Sequence, residues 1–411
     1  MHCEGNVRIG KILLISLDDP TKRGGVGGKH VHINLLMRGL REEGIEVSIA
    51  TVREDARFKL FHRYPGAVYR RLIRDKGKRF HNYTSQYVAQ LRRNLSAVRD
   101  EPSILNPHDV LSCNLANEVF RGRIPLVMTL HGYYTMEAVS NREILPGSPI
   151  YELYLDEESR ACDAAWRIVC VDSRIRDYLV RKLNVPMQRI AVLPNAIDTT
   201  TFMPVTRESM LSQRRAIGIP IKDFVIFCPR RLVPKNGVKY AALAMISLKR
   251  RIPNALLVIA GEGPDRAEIE RIVEEEKLHE CVRLVGNVPH DEILAYYQAC
   301  DVVIIPSITS EGVEEATSLS MLEGMACGKA VIVTDVGGLK ETVKHGDTGI
   351  IVSQANPDAI ASELERLYRE PKLAQNMGSS ARKLVERHHS YVAHARRMMA
   401  EYERAALDGG R

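Results

Sequence analysis

The 411-residue chain is 45% hydrophobic and 27% charged, with a formal net charge of +7; this is a soluble globular composition, and the length favours two or three domains over one. Its eight cysteines form no C-x-x-C pair, which argues against a zinc knuckle or disulfide framework and for a reduced, cytoplasmic setting. The apolar run 9–17 is interrupted by Lys11 and stopped by Asp18-Asp19-Pro20, too short for a membrane span and without a small-residue cleavage site, so a first buried strand is predicted there.

A glycine-rich loop follows, then an apolar-periodic helix over 31–43, Gly44 and a strand over 46–51, the beginning of a βαβ alternation. The positive charge concentrates next. Residues 53–99 hold thirteen Lys and Arg against Glu54, Asp55 and Asp75, interleaved with aromatics such as Phe58, Tyr64, Phe80 and Tyr87. Such a stretch is either a solvated helical face or a contact for an anionic membrane surface or anionic acceptor; no nucleic-acid motif accompanies it. Short β-branched strands at 126–130 and 168–171 continue the first half, which closes near Val192-Leu193-Pro194-Asn195. Residues 204–215 are polar and read as a linker.

A second alternation then begins: strands at 224–228, 255–260, 282–285, 302–305 and 330–334, with helices at 238–251, 265–276, 291–299 and 317–327 between them. Beyond Pro357 the pattern is helical over 358–369, 371–386 and 390–406. Two doubly wound α/β halves are expected, divided as 1–205, 206–385 and a terminal helix 386–411.

Three constellations carry polar chemistry. In Gly24-Gly25-Val26-Gly27-Gly28-Lys29-His30, glycines let backbone N–H groups approach a phosphate or sugar. His30 breaks the dinucleotide spacing, and Arg23 with His30 breaks the P-loop spacing, so a plain tight turn remains the alternative. In Cys228-Pro229-Arg230-Arg231-Leu232-Val233-Pro234-Lys235-Asn236-Gly237, cations follow a strand where a doubly wound sheet opens its crevice, which suits a diphosphate. In the segment 314–343, one helix through Glu315 and Glu323 would separate them by about 12 Å and about 80° around the axis. A capping box from Ser320 could account for Glu323 and the helix dipole for Glu315. The pair together, beside Gly324, Ala326 and Gly328, favours a ligand.

The run E-A-T-S-L-S-M-L-E-G-M-A-C-G-K-A-V-I, followed by D-V-G-G-L-K-E and G-D-T-G-I-I-V, resembles the E-x7-E region of family 4 (group 1) retaining glycosyltransferases with the GT-B fold. The segments V-L-P-N-A-I-D-T-T-T-F-M-P, I-A-G-E-G-P, V-R-L-V-G-N-V, G-G-V-G and V-M-T-L-H-G match that family's further motifs in order. The resemblance implies two Rossmann-like domains facing a central cleft, an acceptor-side first domain, a nucleotide-sugar-binding second domain and a C-terminal helix crossing back to the first.

By the same resemblance Glu323 would accept hydrogen bonds from the ribose and Glu315 from the donor sugar. Thr317, Ser318 and Leu319 would meet sugar or phosphate oxygens, and Arg231 and Lys235 would neutralise the diphosphate leaving group. His131 would orient the sugar, while Arg230, Gly25, Gly27, Gly28 and Gly261 complete the donor site. No metal or other cofactor is implied. The partners would be a nucleotide-sugar donor, UDP favoured over GDP, and a glycan, lipid-linked or anionic acceptor, with peripheral membrane contact through 53–99.

The sequence departs from the family at three places. Asn236 stands where the family carries lysine, so either Lys235 is presented by a shifted loop or Arg230 and Lys235 take the usual spacing. Either His30 or His32 fills the position after the first loop. Ala316-Thr317-Ser318 replaces a small-aromatic-glycine run. A sugar-nucleotide 2-epimerase of the same fold and a non-catalytic glycan-binding protein are the alternatives.

Overall fold

A computed structural model describes residues 9–20, 28–52, 76–140, 143–310 and 314–408, with only the backbone described for 76–85 and 140. Gly25, Gly27 and residues 53–75 of the basic stretch lie outside the described residues. The chain divides into two compact units, Met1–Pro194 with Tyr391–Arg411, and Asn195–Ser390.

In the first unit, β1 (Lys11–Asp18) pairs in parallel with β2 (Glu46–Val52) and β3 (Ile104–Pro107). A second parallel ladder joins β4 (Val127–Leu130), β5 (Arg167–Cys170) and β6 (Ile190–Val192). The ladders meet through a parallel bridge between Leu105 and Leu126, with Leu105 N–H donating to the Pro125 carbonyl at 3.0 Å. The resulting order is β2-β1-β3-β4-β5-β6, and chain progression reverses between β1 and β3, where such sheets open a crevice at their carboxyl ends.

Helices α1 (Gly28–Glu42), α2 (Lys76–Ser96), α3 (Val110–Phe120), α4 (Tyr134–Ser140), α5 (Pro149–Ala164) and α6 (Ser173–Leu183) connect the strands. Helix α1 begins at Gly28, three residues before the apolar periodicity of the sequence, because polar residues of its first turn are engaged by Asp18 rather than facing a core.

The second unit holds one six-stranded parallel sheet, ordered β12-β11-β10-β7-β8-β9. Its strands are β7 (Phe224–Pro229), β8 (Ala255–Ala260), β9 (Val282–Gly286), β10 (Val302–Ile305), β11 (Ala330–Thr334) and β12 (Ile350–Val352). Strand β7 alternates between two cores: Phe224, Ile226 and Cys228 on one face, Val225 and Phe227 on the other. That is why its sequence is apolar throughout, as a strand covered on both sides must be.

The first core is covered by α8 (Val238–Arg251), α9 (Arg266–Glu275) and α13 (Pro357–Arg369), and the second by α10 (Ile293–Ala299), α11 (Leu319–Ala326) and α14 (Pro371–His388). A short helix α12 (Gly337–Thr342) follows β11.

Residues 204–215, expected as a polar linker, instead enter helix α7 (Arg207–Ala216), whose N-cap Thr206 accepts from Ser209 N–H. Its polar sequence hid a buried anchor. Arg214 is 2% exposed and donates to the Ala299, Ile221 and Asp223 carbonyls and to Asp301 at 2.7 Å.

The last helix, α15 (Tyr391–Asp408), belongs to the first unit, so the change of unit falls at Ser390/Tyr391 within the predicted terminal segment 386–411. It lies against α1 at Gly39, where a Cβ would stand 2.7 Å from Ala395 Cβ and 2.8 Å from the Tyr391 carbonyl oxygen. Arg167 and Glu401 pair at 2.6 Å in the interior, and Tyr402 donates to Asn106 Oδ1 at 2.8 Å. No described helix is long and apolar enough to cross a membrane.

Candidate active site

In the second unit the chain leaves β7 at Pro229, and Arg230 turns inward. It is 8% exposed and donates to Glu315 Oε2 at 2.6 Å, Asn236 Oδ1 at 2.6 Å, Ser307 Oγ at 3.1 Å and Ser318 Oγ at 3.1 Å. Ser307 follows β10, the strand beside β7 at which the sheet order reverses. One guanidinium thus ties together the two strand ends of the switch point and the segment carrying the first glutamate.

Asn236 completes the turn by donating Nδ2 to the Arg231 carbonyl at 2.8 Å. Its burial and two bonds explain why a lysine is not accommodated there: the position faces Arg230, not solvent. Arg231 is exposed and Lys235 half-buried, and neither makes a side-chain hydrogen bond or ion pair among the described residues. Arg230 is engaged on its terminal nitrogens by Glu315, Asn236, Ser307 and Ser318, while its Nε is buried without a hydrogen-bond partner among the described residues.

Burial alone would drive the Glu315 carboxyl toward its neutral form. Arg230, with Lys235 and then Arg231, overcomes this and holds it below the usual carboxylate range. Glu315 is therefore an anion beside three cations. Helix α11 begins at Leu319, after Glu315, so the two glutamates do not share a helix and the 12 Å, 80° construction does not apply. The N-cap is Ser318, whose Oγ accepts from Met321 N–H at 3.4 Å, which removes the capping-box explanation of Glu323.

Glu323 lies inside α11, 7% exposed, accepting from Tyr297 Oη at 2.6 Å. Desolvation raises its pKa to about 7 against that bond. Thr317 is buried, and its carbonyl accepts from Asn195 Nδ2 at 3.4 Å. Gly338 N–H donates to the Glu315 carbonyl at 3.0 Å, and a Cβ at 338 would come within 2.8 Å of the backbone at Ala316 and Thr317. Gly261, at φ +153°, lies so close beneath the Arg230 carbonyl that a Cβ would meet its oxygen at 2.0 Å. The glycine lets β8 approach and support the Arg230 turn.

In the first unit the β1/β3 switch point is equally polar. Lys29, at the start of α1, forms an ion pair with Asp18 and lies 3.6 Å from Asp109, while His30 Nε2 approaches Asp18 at 2.5 Å. Burial opposes the Asp18 charge, yet Lys29 and His30 depress its pKa far below the usual range. Beneath them His131, at the end of β4, lies with its Nε2 3.1 Å from His108 Nδ1. The His32 ring stands edge-on to His131 at 4.6 Å and to His394 at 4.7 Å. His32 thus reaches His131.

Burial, then the neighbouring imidazoles and Lys29, push the pKa values of His108 and His131 well down, so both rings are neutral bases at neutral pH. Asn106 fixes this arrangement: its Nδ2 donates to the Val127 carbonyl at 2.6 Å and to Thr129 Oγ1 at 3.0 Å. His108 and His394 were not singled out in the sequence, and His32 only as an alternative to His30; positions 32, 108, 131 and 394 share no short motif, and only the fold assembles them. Gly28, the one donor-loop glycine among the described residues, is exposed at the start of α1.

Comparison with known proteins places the chain in a family. Residues 26–201 match glycosyltransferase family 4 and residues 210–384 match glycosyl transferases group 1. An uncharacterized glycosyltransferase of Methanocaldococcus jannaschii is 27% identical over 412 residues, covering 98% of this chain and 100% of its own. A D-inositol 3-phosphate glycosyltransferase of Pseudarthrobacter chlorophenolicus is 28% identical over 374 residues, covering 87% of this chain and 86% of its own. Among solved structures, the Anabaena protein HepE in complex with UDP superposes with a TM-score of 0.70 at 16% identity, covering 95% of this chain and 98% of that one. With the two family matches spanning most of the sequence, the chain belongs to the group 1, family 4 glycosyltransferases and has their GT-B fold.

Proposed function

We propose that the protein is a retaining glycosyltransferase that moves a hexosyl group from a nucleotide-diphosphate sugar, UDP-sugar favoured with GDP-mannose the alternative, to a hydroxyl of an anionic or lipid-linked acceptor, without a metal. The observation that carries the reading is the arrangement at the end of β7: Arg230 holds Glu315 and Ser318, and Arg231 and Lys235 stand beside them with no hydrogen bond or ion pair of their side chains among the described residues. Unpaired cations at a strand end stabilise charge that develops on a departing diphosphate. Glu315, kept ionised, accepts hydrogen bonds from sugar hydroxyls, and Glu323 from the ribose. Both glutamates bind; neither attacks.

In the retaining reaction the acceptor oxygen forms its bond to the anomeric carbon on the face from which the diphosphate leaves. The acceptor proton passes to a diphosphate oxygen, so no enzymic nucleophile is needed. His131, neutral at neutral pH, orients a sugar hydroxyl. The name of the Pseudarthrobacter relative supports a polyol phosphate as the first acceptor to try.

A panel of UDP-, GDP- and ADP-sugars in thermal shift selects the donor, since a ligand of the folded state raises Tm. Product anomeric configuration by NMR then tests retention: an inverted product rejects the mechanism, and a new sugar nucleotide formed without acceptor identifies an epimerase instead. Salt-sensitive binding to anionic vesicles tests the lipid-linked acceptor.

A further inference from the structure

We propose that His32, His108 and His131 form a binding site for a divalent transition-metal ion of the zinc or cobalt class within the first unit. These residues each offer a ligand atom, and the three atoms lie within 4.8 Å of one another. The closest pair, His108 Nδ1 and His131 Nε2, is 3.1 Å apart. Two nitrogens each about 2.0–2.1 Å from a tetrahedral ion stand at nearly that separation, so the ion takes the place of the proton they now share. The proton then resides on the opposite ring nitrogen. At His108 that nitrogen, Nε2, is buried and has no hydrogen-bond partner among the described residues.

His32 is 1% exposed and held edge-on by His394, so the third ligand sits on a packed helix and not on a loop. Asp18 and Asp109 flank Lys29, and at His108 the Asp18 charge opposes that of Lys29. Three imidazoles and no carboxylate in the inner set select a d-block ion over magnesium or calcium. Three protein ligands leave a fourth position for water or a small ligand. The site shares His131 with the glycosyl-transfer reading, but it is measured by metal content and spectrum, so its failure and that of the reading are distinguishable.

The test is a Co2+ titration of the chelator-treated full chain, followed by visible absorption and by X-ray absorption of the loaded protein. The expected result is saturable binding of one equivalent, tetrahedral d–d bands, three imidazole scatterers and no thiolate charge-transfer band. His32→Phe and His108→Asn, each checked for fold by circular dichroism, weaken binding by at least about tenfold, whereas His279→Ala, at the exposed pair with Glu274, leaves it unchanged. Absence of stoichiometric binding by the wild-type protein, a thiolate band, or affinity unchanged in folded His32→Phe and His108→Asn would overturn the proposal. Should those variants not fold, the imidazole count on the wild-type protein decides it.

Discussion

The two switch points solve the same problem in opposite ways. In the second unit polar groups are buried as paired charges: Arg230 neutralises Glu315 and also donates to Asn236, Ser307 and Ser318. In the first unit the deepest polar groups are neutral imidazoles stacked on one another, with the charges of Lys29, Asp18 and Asp109 one layer above. A buried ion pair is costly to break and insensitive to pH near neutrality, while a neutral histidine cluster is cheap to assemble and vulnerable to acid.

Removing one member of the ion pair should have the largest effect. Arg230→Ala strands Glu315 and is expected to cost about 3–5 kcal/mol in denaturant unfolding. The double variant with Glu315→Gln should recover part of that loss, and simple additivity would mean the pair is not coupled. Next is the unpaired couple: Arg231→Ala with Lys235→Ala should leave Tm nearly unchanged while lowering kcat by about 10²–10³-fold.

The units should then answer pH with opposite signs. His108 and His131 have folded pKa values below the unfolded value near 6.5, so the unfolded chain binds more protons on acidification. Stability from the first unit is complete above pH 6.5 and falls below it, by on the order of 2 kcal/mol by pH 5.5. Glu323 behaves in reverse. Its folded pKa of about 7 exceeds the unfolded 4.5, so the native state keeps a proton that the unfolded chain releases, and stability falls as pH rises from 4.5 to 7. Glu323→Gln should flatten that decline, an effect on the order of 3 kcal/mol in the pH dependence of unfolding. A decline identical in wild type and variant would assign it elsewhere. Smallest is Tyr402→Phe, which strips a buried bond from Asn106 Oδ1 and should cost about 1–2 kcal/mol by chemical denaturation.

The same contrast explains what was legible in the sequence. Four strands of the second unit, β7, β8, β10 and β11, are apolar on both faces and stand between clear helices, so their ends fell within a residue or two of expectation. Arg230, Arg231 and Ser307 sit within two positions of a strand end, where a motif can be seen. The role of Arg230 was not visible, since nothing in Arg230-Arg231 says which guanidinium turns inward; the contacts of Ser307, Asn236 and Glu315 decide that.

In the first unit β3 and β6 have four and three residues, too few for a periodic signal, and α3 to α6 went unassigned. The buried Arg214 shows the converse error. A polar helix reads as a linker when its core contact is made by a charged head bonded to carbonyls.

The most direct test is calorimetric binding of UDP and of uridine to wild type and to Arg231→Ala with Lys235→Ala. If these cations hold the diphosphate, UDP affinity falls by about 100-fold in the double variant while uridine binding is unchanged. Equal UDP affinity in the two proteins would contradict the assignment of the site.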